Sequence, residues 1–251
     1  MNQAIVFKNV HKTYTRELGS PKEKALNGVS FSVQDGETIG LIGANGAGKS
    51  TCIRLMMNFI KPDEGTILVR GKNPSKSRIR QEIGYLPEVA SFPQSLTVLD
   101  MLTFTGRTFG IPKKELSERS EKWLTILNLW HARKRSIRTY SKGMQQRAAF
   151  TLALVHNPSL LILDEPMSGL DPIGRAQITK LIEDLRAEGK TILLCTHLLE
   201  DVTRLTDRIL ILHKGEKRFE GRAENLSETY GTTSLEEGFL HAIGMGGNHA
   251  A

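Results

Sequence analysis

The sequence predicts an α/β protein: a core with a mostly parallel sheet, an N-terminal antiparallel β subdomain and an inserted helical subdomain. Three observations carry that prediction. Continuous apolar runs at 160–163, 191–195 and 209–212 alternate with helical patterns, which argues for parallel strands joined by helical crossovers. Residues 4–10 and 29–33 alternate in polarity instead, as strands with one wet face do, and Asp35-Gly36 reads as a hairpin turn into the next strand. Between 89 and 144 the pattern turns helical with little β character. The division is one domain over 1–230, with core segments 1–88 and 145–230 around a helical subdomain at 89–144, and a short tail at 231–251.

The strand that follows Asp35-Gly36 ends in a loop. Gly43, Ala44, Asn45, Gly46, Ala47, Gly48, Lys49 and Ser50, followed by Thr51, fit G-x-x-x-x-G-K-[ST], the pattern of a phosphate-binding loop between a strand and a helix. The glycines let backbone N–H groups turn inward around an anion, and the following helix points its positive end at the same place. Lys49 is placed to reach the β- and γ-phosphates and Ser50 to join the shell of a Mg²⁺ ion. The core is therefore a P-loop NTPase core, and the chain is expected to bind a nucleoside triphosphate.

Taken in order, the first strand runs to Tyr14, an aromatic that either stacks on a purine base or simply closes the strand. Residues 15–24 are polar with Gly-Ser-Pro punctuation and read as a surface loop. The helix after Lys49 carries Ile53, Met56 and Met57 on one face, and residues 61–65 stop it. Strands follow at 66–69 and 82–86. Pro112 suits the first turn of a helix whose apolar face is Leu116, Ser120, Trp123, Leu124 and Leu127. Every residue from 160 to 163 is apolar, as in a strand buried on both faces. Asp171-Pro172 reads as an N-cap with Pro at the first helical position, Ile178, Leu181, Ile182 and Leu185 follow at helical spacing, and Gly189 ends that helix. A helix at 198–205 leads to the strand at 209–212; after 226 the signals fade, and 245–251 is expected to be disordered.

Composition limits the alternatives. The 251 residues suffice for a full core, and 39% hydrophobic with 24% charged is ordinary for a folded soluble chain. No apolar run reaches the roughly 18 residues of a membrane span, and residues 1–8 do not read as a secretory signal. Cys52 and Cys195 lie in separate apolar segments without metal-ligand spacing, as small reduced core residues do in the cytosol. The net charge of +7 is uneven: residues 107–147 hold eleven Lys or Arg and three Glu. That stretch is either a solvated basic face or a surface near anionic lipid; without interleaved aromatics, nucleic acid ranks below lipid.

Asp164-Glu165 directly follows the buried run of 160–163. A strand that delivers acids beside a phosphate loop is the usual way this fold holds Mg²⁺, so Asp164 is expected in the metal shell and Glu165 beside the attacking water.

With these residues in place, the chain resembles the nucleotide-binding subunit of an ATP-binding cassette (ABC) transporter over about residues 4–230. The phosphate loop at 43–50 comes first. Ile83-Gly84-Tyr85-Leu86-Pro87-Glu88 resembles the loop that usually ends in Gln, and Tyr140-Ser141-Lys142-Gly143-Met144-Gln145-Gln146-Arg147 the signature motif, normally Leu-Ser-Gly-Gly-Gln. Residues 160–166 resemble the second acidic motif, 168–171 the loop after it, and His197 stands where the family has its switch histidine. The resemblance implies that Tyr14 stacks on adenine, that Glu88 and Asp164 serve the metal, that Glu165 and His197 act on the γ-phosphate side, and that Ser141 and Gly143 contact a nucleotide held by a second copy. It implies ATP and Mg²⁺, a homodimer or heterodimer with a related subunit, and a separate integral-membrane permease, at the cytoplasmic face of the membrane. Glu88, Lys142 and Met144 depart from the usual Gln, Gly and Gln; these departures and the 234–240 tail resemble exporters whose ATPase and membrane chains are separate. No nucleic acid is expected. The alternative, a soluble ATPase of the family acting on nucleic acid or ribosomes, calls for a long coiled-coil insertion or a second cassette, and neither pattern occurs.

Overall fold

The structure is a computed structural model that describes residues 2–15 and 22–246. Its strands are β1 (Gln3–Tyr14), β2 (Glu23–Gln34), β3 (Thr38–Ile42), β4 (Glu64–Val69), β5 (Ile83–Leu86), β6 (Leu160–Asp164), β7 (Thr191–Thr196), β8 (Arg208–His213) and β9 (Glu216–Gly221). They form two sheets. One is antiparallel in the order β2-β1-β4; the other runs β5-β6-β7-β3-β8-β9, parallel throughout except for β9.

The parallel sheet explains the continuous apolar runs. In β6, Leu160 and Ile162 face the core shared with β1, β2 and α1 (Lys49–Met56), while Leu161 and Leu163 face the opposite layer. Strand β7 divides likewise, Leu193 and Cys195 to one side and Ile192 and Leu194 to the other. With both faces covered, no position tolerates a polar side chain, and period-two alternation disappears.

The remaining helices are α2 (Val98–Thr108), α3 (Lys113–Ile126), α4 (Lys142–Leu154), α5 (Pro172–Ala187), α6 (Leu199–Leu205), α7 (Glu224–Tyr230) and α8 (Leu235–Ala242). Thr97 and Asp100 close a reciprocal capping box at the start of α2. Asp171 caps α5 by accepting from the Gly174 N–H at 2.6 Å, with Pro172 at the first helical position as the sequence suggests. Helices α2, α3 and α4 share a core of Val98, Leu102, Leu124, Leu129 and Ala148. Helix α4 runs across residue 144, so the helical layer stands on a helix that continues into the main body.

Some expectations change. Asp35-Gly36 does turn the chain, with Gly36 at φ 79° and the Glu37 N–H donating to Gln34 O, but it is no hairpin. β2 pairs with β1, whereas β3 lies between β7 and β8 in the other sheet. A buried-on-both-faces strand is drawn to the middle of the parallel sheet, whatever its sequence neighbour does. Pro112 is the N-cap of α3 rather than its first helical residue. The loop expected at 15–24 is shorter at its far end, where Glu23 and Lys24 already belong to β2; residues 16–21 lie outside the described residues.

The end of the chain is more structured than its sequence suggests. β9, α7 and α8 cover the side of β8, burying Leu226, Ala242 and Ile243 against Ile42, Ile209 and Ile211. Helices of seven and eight residues have little stability alone, so their order comes from this packing, which a local pattern does not display. The expected disorder at 245–251 falls mostly on residues 247–251, outside the described residues.

Candidate functional site

Four of the parallel strands present their C-terminal ends to one cleft of about 520 Å³. Ligands of open α/β sheets bind at that edge. Strand β3 contributes the loop at 43–50, β5 leads to Glu88, β6 ends in Asp164 and Glu165, and β7 leads to His197. Tyr14, from the end of β1, lines the same cleft, and its hydroxyl is buried with no hydrogen-bond partner among the described residues. The parallel register pairs Asp164 with Cys195, which brings the acidic pair level with the histidine two residues on.

The loop is built as its glycines require. A Cβ on Gly43 would lie 2.5 Å from Leu212 O and 2.7 Å from Ala47 Cβ, so that position has no room for a side chain. Gly48 caps α1 at φ 112°, and Gly46 sits at φ 80°. Lys49 is buried and folds back over its own loop, donating to Gly43 O at 2.5 Å and more distantly to Ala44 O at 3.4 Å. These carbonyls hold the ammonium where an anion in the loop would meet it.

Glu165 stands on strained backbone. Its φ is +47°, in the left-handed region, and its N–H donates to Cys195 O at 2.8 Å, which ties it to β7. One carboxylate oxygen accepts from His197 Nδ1 at 2.8 Å; the other meets Thr196 Oγ1 at 3.4 Å. With Nδ1 donating to a carboxylate, His197 has Nε2 left for a ligand. Its side chain is 58% exposed, free to follow one.

Three carboxylates therefore share a cleft with Lys49 and Arg54. Burial, together with the charges of Glu88 and Glu165, pushes the Asp164 carboxyl up to about 6, against the pull of Lys49 and Arg54. The sign follows: below 3.8 Asp164 is neutral folded and unfolded, and its contribution to stability is lost as pH rises toward 6. The nucleotide-free chain should thus lose up to about 3 kcal/mol across that window through this group alone. Denaturant titrations at several pH values should show that component in the native chain and not in Asp164→Asn.

The same crowding suits a hard cation. The donors, Ser50 hydroxyl, Asp164 and Glu88, are all oxygens. No group of three His, Cys, Asp or Glu among the described residues makes a ready cage. Mg²⁺ does not need one, since it keeps waters and takes only one or two carboxylates plus substrate phosphates.

Ser141 and Gly143 are elsewhere. Ser141 caps α4, accepting from the Met144 N–H at 3.2 Å, and the two residues line a separate concavity with Gly169, Leu170 and Asp171. Within one chain nothing brings them to the phosphate loop. Gly143 is also informative as a glycine: a Cβ there would meet only ordinary neighbours, Leu170 Cδ2 at 3.6 Å and Gly169 O at 3.9 Å. The fold leaves room for a side chain, at a helical position where glycine is costly.

Sequence reasoning missed Arg54, Glu23, Ala25 and Thr15, which complete the cleft wall. Arg54 was findable, four residues beyond Ser50 and so on the same face of α1; the others depend on how β1 and β2 fold back over the loop.

A family profile described as "ABC transporter" matches residues 26–168. An uncharacterized ABC transporter ATP-binding protein of Synechocystis sp. is 40% identical over 220 residues, 87% of this chain and 60% of that protein. Nod factor export ATP-binding protein I of Sinorhizobium fredii is 40% identical over 225 residues, 89% of this chain and 64% of that one. The chain thus spans somewhat under two thirds of the length of these relatives. Among solved structures, an ATP-binding subunit of an ABC transporter superposes with a TM-score of 0.86 at 29% identity, covering 95% of this chain and 99% of the other. A dimeric ATP-binding cassette in a post-hydrolysis state, bound to ADP and Pi, superposes with a TM-score of 0.77 at 26% identity, covering 87% and 98%.

Proposed function

The chain belongs to the ABC transporter family as an ATP-binding subunit, and from that premise we propose that it hydrolyses ATP between two copies to drive export through a separate membrane permease. The observation that carries this reading is the split of the candidate residues. Tyr14, the 43–51 loop, Glu88, Asp164, Glu165 and His197 belong to one cleft, while Ser141 and Gly143 stand on another face with a glycine the fold itself does not need.

In this reading the loop amides and Lys49 hold the phosphates, and Tyr14 stacks on the base. Ser50 and Asp164 hold Mg²⁺, with Glu88 beside them; the cation, when bound, neutralises charge on the phosphates. Glu165 takes the proton of the attacking water, and His197, held by Glu165 through Nδ1, turns Nε2 to the γ-phosphate. The second copy closes head-to-tail, bringing the N-terminus of its α4 to the phosphates. The helical subdomain at 89–144, standing on α4, passes closure to the permease, which places the chain at the cytoplasmic face of the membrane; no helix among the described residues is long and apolar enough to cross one. The nucleic-acid alternative finds no support in relatives named for transport.

The partner is testable directly. Affinity purification of the tagged chain from detergent-solubilised membranes is expected to recover one integral-membrane protein in fixed ratio, whose addition in liposomes raises ATP hydrolysis. Recovery of ribosomes or nucleic acid instead would overturn the transport reading.

A further inference from the structure

Lys142 is the residue of the signature stretch that two-copy hydrolysis leaves without a task. It is the first residue of α4, where the positive end of the helix disfavours a cation, and no acidic residue stands in that first turn to offset it. Its ammonium has no hydrogen bond or ion pair among the described residues. The other charges of this face are committed: Asp171 caps α5, and Arg147 donates to Gly143 O at 3.3 Å and Leu127 O at 3.1 Å.

The stem of Lys142 has a fixed course. A Cβ built on Gly169 would lie 2.6 Å from Lys142 Cε and 2.8 Å from Cδ, so the methylenes run directly across that residue, which sits at φ +71°. The side chain is thereby laid along the concavity that holds Ser141 and Gly143, with its charge at the end of the stem. A free cation and a helix N-terminus side by side both call for an anion, and the chain supplies none.

We propose that Lys142 is a further nucleotide-contacting residue acting across the two copies: its Nζ donates to a phosphate oxygen of the ATP held in the partner's phosphate loop. This rests on the two-copy mechanism proposed for the chain. The departure from glycine then adds a charge-assisted hydrogen bond to the backbone and hydroxyl donors of the signature stretch.

The test uses the full chain carrying Glu165→Gln, with the ATP concentration for half-maximal dimerisation read by light scattering. Lys142→Met keeps the stem over Gly169 and removes the charge; it is expected to raise that concentration about tenfold, with Lys142→Arg within about threefold of the parent. The difference between Met and Lys should shrink as salt is raised. In the Glu165 background, Lys142→Met should raise KM for ATP by a similar factor. If Lys142→Met dimerises at the parent's ATP concentration, the proposal is overturned. It is equally overturned if Lys142→Ala fails and Lys142→Met does not, because then only the stem matters, as a brace on the 168–171 loop. A Glu165→Gln parent that binds ATP and stays monomeric would instead bring down the two-copy mechanism and this proposal with it.

Discussion

Replacing Glu165 by Gln is expected to lower kcat for ATP hydrolysis by about 10²–10⁴-fold, the range a lost general base accounts for, while ATP binding persists. The amide fits the same space, between the His197 ring and Thr196, and asks nothing new of the backbone. What it cannot do is take a proton. With Mg²⁺ and ATP bound and no turnover to release them, the two copies should stay closed, so size-exclusion chromatography with ATP should show a stable dimer. Phosphate release at the native rate would remove Glu165 from the role assigned to it.

Lys49→Ala should have the second large effect, on binding rather than turnover. A buried ammonium that meets phosphate makes hydrogen bonds worth about 1.5–3 kcal/mol each, so removing two of them should weaken ATP binding by about 10²-fold or more. The empty loop also suffers, because Gly43 O and Ala44 O lose their donor. Asp164 loses one of the two cations that offset its burial, and its carboxyl should be driven higher still. Calorimetric titration with ATP measures the first effect, and a melting curve of the free chain separates it from misfolding. Affinity close to the native chain's would mean that the loop amides alone carry the phosphates.

Much of this architecture is local and therefore legible in the sequence. The 43–50 loop, the buried run of 160–163 with its two acids, and the Asp171-Pro172 cap each depend on a few adjacent residues, and each forms as expected. What escaped depends on distant partners. Nothing in Asp35-Gly36 says that the strands on either side join different sheets; that follows from β7 and β8 flanking β3. Strand β9 alternates weakly and is rich in charge, and α7 and α8 are too short to signal themselves. At the site, spacing identified the residues but not their grouping. That Tyr14 and His197 share a cleft 183 positions apart, and that Ser141 does not share it, is a property of the folded chain.

The backbone at Glu165 sets stability and turnover against each other. At φ +47°, glycine or asparagine would rest more easily, by on the order of 1 kcal/mol. A population of such chains left to mutate without demand for export would drift toward those residues and fold the better for it. Each drifted chain would melt higher, bind its nucleotide and hydrolyse almost none of it. Glutamate at this turn is therefore a record of use: a sequence that keeps it has had its turnover, and not merely its fold, under selection.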